Sequence, residues 1–448
     1  MIHFPSPRSP RLSRLRETLP TLRRILSHTP PPRFIAKLVA TVGRIIQARD
    51  LHAKSLTSRS VRNFFSPDSD GILHRISRVG TVALALAAVW TAPARAHDTA
   101  GGHSHSDEVT TATPLPFVVE HAGPVRAPKA MKPQPGLKVT GQGFWKFVAA
   151  TDLVPVPAEI QSKLTPAHGT LIVDKATDTV YWGLQQVGFV AFSNKLSQSW
   201  VVAGDPILAK GNLHGADIYP RHGQRPLIAA ADNMTGQVFL TDTTFKKVEV
   251  LPIPPGQPYA DKKGFAPTDV AFLNDHELWV TDGYGKAWFM PATVSPFKYQ
   301  DKYFGGKAFS GTPHGITYDP RTKSMLVSAR PEGLVKQFDL KHEHVHNIDG
   351  LPAGSTVCDV DIWGDYALAP CLDGAKQSHG PIYIINLKKH TVVATLKVMD
   401  DLGYEKALHI HDACWYVTGK GSKQEVYVVF TNWNPGGIGA IKLVNLPD

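Results

Sequence analysis

Residues 313–330 read PHGITYDPRTKSMLVSAR, in which a short opening phrase leads into a strand, a turn and a second apolar strand. Five other segments open in a similar way. The six phrases are Ala167-His168-Gly169-Thr170, Leu213-His214-Gly215-Ala216, Pro267-Thr268-Asp269-Val270, Pro313-His314-Gly315-Ile316, Val357-Cys358-Asp359-Val360 and Ile410-His411-Asp412-Ala413. Their second residues are 46, 54, 46, 44 and 53 positions apart. Blades of a β-propeller are four-stranded sheets of about this length. The repeat therefore predicts an all-β, six-bladed β-propeller over residues 141–448.

The strand pattern within each unit agrees with this architecture. The unit around Met325–Ser328 continues into Leu334–Phe338, where apolar and polar residues alternate as in a half-buried strand. No stretch of helical period follows Ser162. The last unit ends after its third strand, and an unpaired edge there would invite aggregation. We expect Phe144–Ala149 to supply the missing strand and close the ring.

The chain before the repeats divides into three parts. Residues 1–70 form a basic leader rich in Pro and Arg, or else a start codon placed too early. Residues 71–96 resemble a signal peptide, with Arg75 and Arg78 before the apolar run Val79–Trp90 and a cleavage site after Ala96. Residues 97–140 are a His- and Pro-rich linker. These features predict a secreted or periplasmic protein without stable membrane insertion after cleavage. A membrane anchor is the alternative if the signal stays uncleaved.

The charge distribution argues against nucleic acid as a partner. The chain has a net charge of +10, but 16 of its 48 basic and 4 of its 38 acidic residues precede His97. The remaining 32 basic and 34 acidic residues give the repeats and linker a net charge of −2. A basic footprint is thus confined to the leader. We expect a monomer whose partner is a small molecule or peptide at the channel mouth.

The opening phrases place chemistry at one end of the propeller. Their second residues begin the innermost strands, so they gather at one mouth of the central channel, as do the residues that end the second strands, such as Tyr284, Arg330 and Trp433. Four of the six opening positions are histidine: His168, His214, His314 and His411. Neutral imidazoles that converge from separate strands suit zinc, and three ligands leave a coordination position open.

Two of the phrases resemble a known family. Pro267-Thr268-Asp269-Val270, followed by Thr281-Asp282-Gly283-Tyr284-Gly285, is similar to the blade signature of the peptidyl-α-hydroxyglycine α-amidating lyases (peptidylamidoglycolate lyases). The resemblance covers about residues 165–448. It implies a six-bladed, NHL-like propeller that cleaves a hydroxyglycine-extended peptide into a peptide amide and glyoxylate.

The resemblance also implies roles for individual residues. His214, His314 and His411 would bind zinc, with His168 as an additional histidine. Tyr284 would be the base and Arg330 would bind a substrate carboxylate. Asp412, helped by the carbonyl of Ala216, would bind calcium.

Several departures leave other functions open. The family's early arginine is missing from the stretch Trp182–Gln186, and its Asn-Ser-Arg is replaced by Lys286-Ala287-Trp288. One alternative is a calcium-dependent hydrolase of the lactonase type, although such sites favour carboxylates and amides. Another is a non-catalytic propeller that binds a ligand or protein.

The three cysteines do not form a disulfide framework. Cys358 opens the first strand of the fifth unit and Cys371 closes the second. Neighbouring antiparallel strands bring such residues about 5.5 Å apart at Cα, which permits a disulfide. We expect a Cys358–Cys371 bond and a free Cys414.

Overall fold

A computed structural model describes residue 125 and residues 127–132, 134–166, 168–306, 311–330, 332–348 and 350–446. The predicted leader, signal peptide and most of the linker lie outside these residues. Within the described part, no helix is both long and apolar enough to cross a membrane.

The chain forms six antiparallel sheets arranged as a six-bladed β-propeller, as the repeat predicted. In the first two blades the strands are β2 (Gly169–Asp174), β3 (Thr179–Leu184), β4 (Gly188–Ser193) and β5 (Gln198–Val201), then β6 (Leu213–Tyr219), β7 (Leu227–Asp232), β8 (Gln237–Asp242) and β9 (Glu249–Leu251). The third has β10 (Asp269–Phe272), β11 (Glu277–Thr281), β12 (Trp288–Thr293), β13 (Lys298–Tyr299) and a short β14 (Phe304–Gly305) paired with β12.

The remaining blades follow the same order. The fourth has β15 (Pro313–Asp319), β16 (Ser324–Ala329), β17 (Leu334–Asp339) and β18 (His344–Ile348), and the fifth has β19 (Asp361–Trp363), β20 (Tyr366–Pro370), β21 (Ile382–Asn386) and β22 (Thr391–Leu396). The sixth has β23 (Ile410–Thr418), β24 (Glu425–Asn432) and β25 (Gly437–Val444). The described helices are α1 (Val398–Leu402) and the short 3₁₀ segments Ala158–Lys163, Pro206–Ala209, Ala375–Gln377 and Gly421–Lys423.

The ring is closed by a strand from the start of the propeller. β1 (Lys146–Ala149) pairs antiparallel with β25, with Lys146 opposite Val444 and Ala149 opposite Ile441. This confirms the prediction for Phe144–Ala149. Residues before β1 also contact both the segment that follows β25 and the helix α1, because Ala130 forms a parallel bridge with Asn445 and the Thr140 hydroxyl donates to Asp401 of α1 at 2.7 Å.

The hydrophobic core lies between the blades rather than at the axis. Each of the six blade interfaces in the described structure has its own cluster of buried side chains. Trp182, for example, packs against the sixth blade, and Trp279 packs against the fourth. Both faces of most blades are therefore buried, which leaves the first strands of neighbouring blades in contact around the channel. The channel is the place where polar side chains from different blades meet.

Candidate metal centre at the channel mouth

The four predicted histidines meet at one mouth of the channel. The ring centroid of His214 lies 4.7 Å from that of His411. The line that joins these two rings is the shared edge of two triangles of histidines. His168 completes one triangle, at 5.0 Å from His214 and 4.9 Å from His411. His314 completes the other, at 4.7 Å from His214 and 5.0 Å from His411. We call these four residues the histidine layer.

Local backbone irregularity directs three of these side chains. The pairing registers of β6, β15 and β23 shift at His214, His314 and His411 respectively. A bulge of this kind bends the strand and re-aims a side chain. The residue after His214 must be glycine, because a Cβ at Gly215 would lie 2.3 Å from the Thr268 carbonyl oxygen. His168 instead precedes β2, whose pairing with β3 is regular.

Backbone carbonyls of the next blade fix the tautomer of the same three histidines. Nδ1 of His214 lies 2.8 Å from the Thr268 oxygen, Nδ1 of His314 lies 2.6 Å from the Cys358 oxygen, and Nδ1 of His411 lies 3.2 Å from the Gly169 oxygen. A carbonyl oxygen only accepts, so each Nδ1 carries the hydrogen. Each Nε2 is then left with a lone pair that points towards the channel. Such second contacts also orient the histidine ligands of metals in proteins.

The shared edge brings two of these lone pairs together. Nε2 of His214 and Nε2 of His411 are 3.2 Å apart. Burial and neighbouring positive charges hold the pKa of both imidazoles well below its usual value, so neither ring carries a proton at Nε2 near neutral pH. Two facing lone pairs repel unless a cation lies between them. Two nitrogens bound to one tetrahedral zinc at about 2.0–2.1 Å would be about 3.3 Å apart, which the observed spacing fits.

His168 completes a group of three possible metal ligands among the described residues. One nitrogen each of His168, His214 and His411 lies within 4.8 Å of the other two. Burial and Arg330 lower the pKa of His168 to about 4, so this imidazole is also neutral near pH 7. Three neutral imidazoles can hold a metal ion. The predicted set of His214, His314 and His411 stays a prediction.

Tyr284 and Arg330 lie against the histidine layer. The Tyr284 hydroxyl is 3.0 Å from Nε2 of His314 and 3.2 Å from Nε2 of His214, and it accepts a hydrogen bond of 3.0 Å from Nη1 of Arg330. Burial raises the pKa of Tyr284, while the guanidinium of Arg330 acts in the opposite direction. The hydroxyl is therefore a neutral phenol in contact with a cation. A catalytic role for Tyr284 and Arg330 stays a prediction.

A network of backbone donors holds the Tyr284 turn in place. The buried Asp282 carboxylate accepts from the Ala266 and Lys286 amides at 2.7 and 2.6 Å, and from the Tyr259 hydroxyl. Gly283 lets the fourth blade pass closely, because a Cβ there would lie 2.3 Å from the Pro313 oxygen. The turn that carries Tyr284 is thus rigidly supported.

Arg330 is a cation without an acidic partner. Its Nη2 donates to the Cys358 sulfur at 3.1 Å, its Nε is buried without a hydrogen-bond partner, and its side-chain contacts among the described residues are with Tyr284 and Cys358 rather than with a carboxylate. Burial acts to lower its pKa, but the contacts with Cys358 and Tyr284 outweigh burial and raise the pKa above its usual value, so Arg330 is charged at every working pH. A fixed charge of this kind attracts an anionic ligand to the mouth.

Trp433 forms a wall of the same mouth. Its ring stacks on His168, with centroids 5.5 Å apart and planes 22° apart, and its amide donates to the His409 carbonyl at 2.9 Å. His168 is half-buried, whereas the other three histidines are buried. His168 is consequently the histidine nearest to solvent.

Five aspartates lie one to three residues after the opening positions of the blades, and we call them the carboxylate layer. Asp269 and Asp412 are buried, and the other three are half-buried. Four of them accept an amide hydrogen from the next blade. These are Asp217 from Phe272 at 2.8 Å, Asp269 from Ile316 at 2.8 Å, Asp361 from Trp415 at 2.7 Å and Asp412 from Leu171 at 2.6 Å. The fifth, Asp359, interacts electrostatically with Asp412, and burial raises the pKa of both carboxyls. The layer thus ties neighbouring blades together.

Asp412 is the predicted calcium ligand. Its Oδ1 is buried and receives no donor, while burial and the Asp359 charge raise its pKa well above the usual value. Ala216 lies in β6 opposite Ala230, and its carbonyl has no recorded contact with Asp412 in the described structure. Calcium binding here remains a prediction.

The predicted disulfide is wrong. Cys358, Cys371 and Cys414 are all free and buried. The residue opposite Cys371 is Val357 rather than Cys358. Because successive side chains of a strand point to opposite faces, this offset of one residue sends the Cys358 sulfur to Arg330 and the Cys371 side chain into the core between blades four and five.

Comparison with known proteins shows similarity in fold to solved structures at low identity. A gluconolactonase from Xanthomonas campestris is 12% identical, with 71% of this chain and 99% of that chain covered and a TM-score of 0.47. Hydrazine synthase from Kuenenia stuttgartiensis is 15% identical, with 46% of this chain covered and a TM-score of 0.32. The match spans about half of that chain, 53%. No protein-family profile matches this sequence, and no curated protein does.

Proposed function

We propose that this protein is an exported zinc-dependent lyase that cleaves the C–N bond of a carboxylate-bearing hemiaminal, the chemistry of the amidating lyases that its sequence resembles. The observation that carries the proposal is the 3.2 Å approach of two unprotonated Nε2 atoms, His214 and His411. Such a pair of lone pairs is stabilised by a cation. An all-imidazole ligand set favours zinc over calcium.

The residues present fit a zinc ion with one open position. His214 and His411 would supply two ligands, and a third would come from the same layer. When bound, zinc would supply Lewis acidity to the substrate hydroxyl. The four side chains that converge at the mouth offer imidazole nitrogens rather than the carboxylate and amide oxygens that a calcium-dependent lactonase site needs, which disfavours that function.

Tyr284 and Arg330 would handle the substrate. In this reaction the hydroxyl O–H and the C–N bond break, a C=O and an N–H bond form, and no electrons are exchanged with another molecule. Tyr284 would receive the hydroxyl proton as a phenolate, a form that the Arg330 cation and a bound zinc ion would favour, and this proton finally belongs on the leaving amide nitrogen. Arg330 would bind the carboxylate, because it is charged and contacts Tyr284 and Cys358 rather than an acidic residue in the described structure.

Metal analysis combined with turnover tests this proposal. The mature protein should contain about one zinc per chain and convert a peptide that ends in α-hydroxyglycine to equimolar amide and glyoxylate. Chelation should abolish turnover, and zinc should restore it. Zinc binding without turnover would support a non-catalytic propeller that binds a ligand. Turnover of a lactone in the presence of calcium would support the lactonase-type hydrolase instead.

We also propose a calcium ion at Asp412, in support of which its buried Oδ1 has no hydrogen-bond donor. Calcium ligands are oxygens at about 2.3–2.6 Å, and the Ala216 carbonyl would be another. Isothermal titration with calcium should show one site in the zinc-loaded protein, and Asp412→Asn should weaken it. Unchanged affinity in this variant would place any calcium elsewhere.

Export is the last part of the proposal. The basic residues Arg75 and Arg78, the short apolar run and the small residues before His97 support cleavage after Ala96. N-terminal sequencing of protein from the medium or periplasm should begin at His97. Ala96→Phe, which blocks small-residue recognition, should leave uncleaved precursor. A mature start within the first 30 residues would contradict export by this signal.

A further inference from the structure

The two triangles of the histidine layer are not equivalent, although their ring spacings are nearly equal. The difference lies in where the free nitrogens point. Possible ligand atoms of His168, His214 and His411 converge within 4.8 Å, and His314 is not part of that group. Nε2 of His314 is instead 3.0 Å from the Tyr284 hydroxyl.

The hydrogen-bond inventory of Tyr284 explains this orientation. Its oxygen accepts from Nη1 of Arg330, so its single hydrogen is free to be donated elsewhere. The acceptors within reach are Nε2 of His314 at 3.0 Å and Nε2 of His214 at 3.2 Å. If His214 gives its lone pair to a metal, His314 is left as the acceptor. Its own Nδ1 is fixed by the Cys358 carbonyl, so this imidazole can accept but not donate at Nε2.

His168 has the freedom that a third ligand needs. It precedes β2, it is half-buried, and neither of its ring nitrogens has a recorded hydrogen bond in the described structure. Ligand atoms up to 4.8 Å apart must move closer, towards the roughly 3.3 Å expected around tetrahedral zinc. A ring held by stacking on Trp433 can make this shift, because it breaks no hydrogen bond.

We propose that His168, His214 and His411 bind the metal, and that His314 is a positioning residue that accepts the Tyr284 hydrogen and fixes the phenol. This inference rests on the proposed metal centre and refines it. It departs from the ligand set that the sequence resemblance implies. It also explains why the layer has four histidines, because three imidazoles would bind the metal and the fourth would position Tyr284.

Zinc stoichiometry of single variants after exhaustive dialysis tests the assignment, with His222→Ala as the matched control, because His222 is an exposed histidine in the turn between β6 and β7, at the opposite end of β6 from His214. Outer contacts of a metal ligand change metal affinity by about 10–100-fold when removed, and a ligand should matter more. We expect more than about 100-fold weaker zinc binding in His168→Ala. His314→Ala should stay within about 10-fold of the control. Visible spectra of the cobalt-substituted protein should change in His168→Ala and stay the same in His314→Ala.

Turnover separates positioning from a general structural effect. His314→Ala should lower kcat with KM nearly unchanged, and His314→Gln, whose amide oxygen can accept from Tyr284, should recover part of kcat. Circular dichroism of each variant checks folding. Zinc loss in His314→Ala, with or without zinc loss in His168→Ala, overturns the assignment, as does full zinc binding in both. If the unaltered protein binds no zinc, the proposed function fails as well.

Discussion

The histidine layer and the carboxylate layer lie close together at the inner strands of the blades but have opposite hydrogen-bonding roles. Three of the histidines donate to the next blade, and four of the aspartates accept from it. At the opening position the next blade presents a carbonyl, and His214 meets it with an N–H donor. One to three residues further on, the next blade presents an amide, and Asp217 meets it with an acceptor. The imidazole of His214 has a second nitrogen left over, whereas both carboxylate oxygens of Asp217 accept from amides. The first layer is therefore equipped to bind a ligand, and the second holds blades together.

Removal of His411, which belongs to both triangles of the histidine layer, should have the largest effect on zinc binding and turnover. His411→Ala takes away one of the two Nε2 atoms that face each other at 3.2 Å, so we expect nearly complete loss of zinc and of turnover. The fold should survive, because the core lies between the blades. Metal analysis and thermal unfolding measured in chelator provide the two readouts. Retention of one zinc per chain would show that the layer does not hold the ion.

Tyr284→Phe should separate binding from chemistry within the histidine layer. The variant loses the hydroxyl that contacts His214, His314 and Arg330 but keeps all four imidazoles. A positioned proton acceptor contributes typically about 10²–10⁴-fold, so kcat should fall by that order while zinc stays bound. Steady-state kinetics on the hydroxyglycine peptide measures this change. A kcat equal to that of the unaltered protein would remove Tyr284 from the mechanism.

The sequence predicted the propeller and the meeting of the histidines because both depend on a repeat. Opening phrases at near-constant spacing reveal blade number, and symmetry carries His168, His214, His314 and His411 to one mouth. The closing strand was predictable from the incomplete last unit. These inferences need topology and no side-chain detail.

The Cys358–Cys371 prediction failed because it depended on register, which a repeat does not specify. A shift of one residue moved the two sulfurs to opposite faces of the sheet. The carboxylate layer was visible in the phrases at Asp269, Asp359 and Asp412, but its role depends on which amide of the neighbouring blade each oxygen meets. The same limit applies to the bulges that aim the histidines.

Removal of a carboxylate should cost stability and leave the metal in place. Asp217→Ala takes the acceptor away from the Phe272 amide and leaves that buried donor unpaired, which costs about 1–3 kcal/mol. Asp217→Asn keeps an acceptor and serves as the control. Denaturant unfolding gives the free energy, and zinc stoichiometry should equal that of the unaltered protein. A loss of zinc in the alanine variant with normal stability would contradict the division into two layers.

The smallest expected effect is a pH dependence that originates in the carboxylate layer. Burial raises the pKa of Asp361 to about 7, although the Trp415 amide acts in the opposite direction. The folded state then binds more protons than the unfolded state at pH values between the two pKa values. The free energy of unfolding therefore falls as pH rises through this window. For a folded pKa near 7 the fall between pH 6 and pH 8 is about 1.4 kcal/mol from this group.

Asp361→Asn removes the titration and can still accept from Trp415, so its melting temperature should fall less than that of the unaltered protein between the same pH values. Equal pH slopes in both proteins would show that Asp361 is ionised in the folded state at both pH values, and that the carboxylate layer does not raise its pKa.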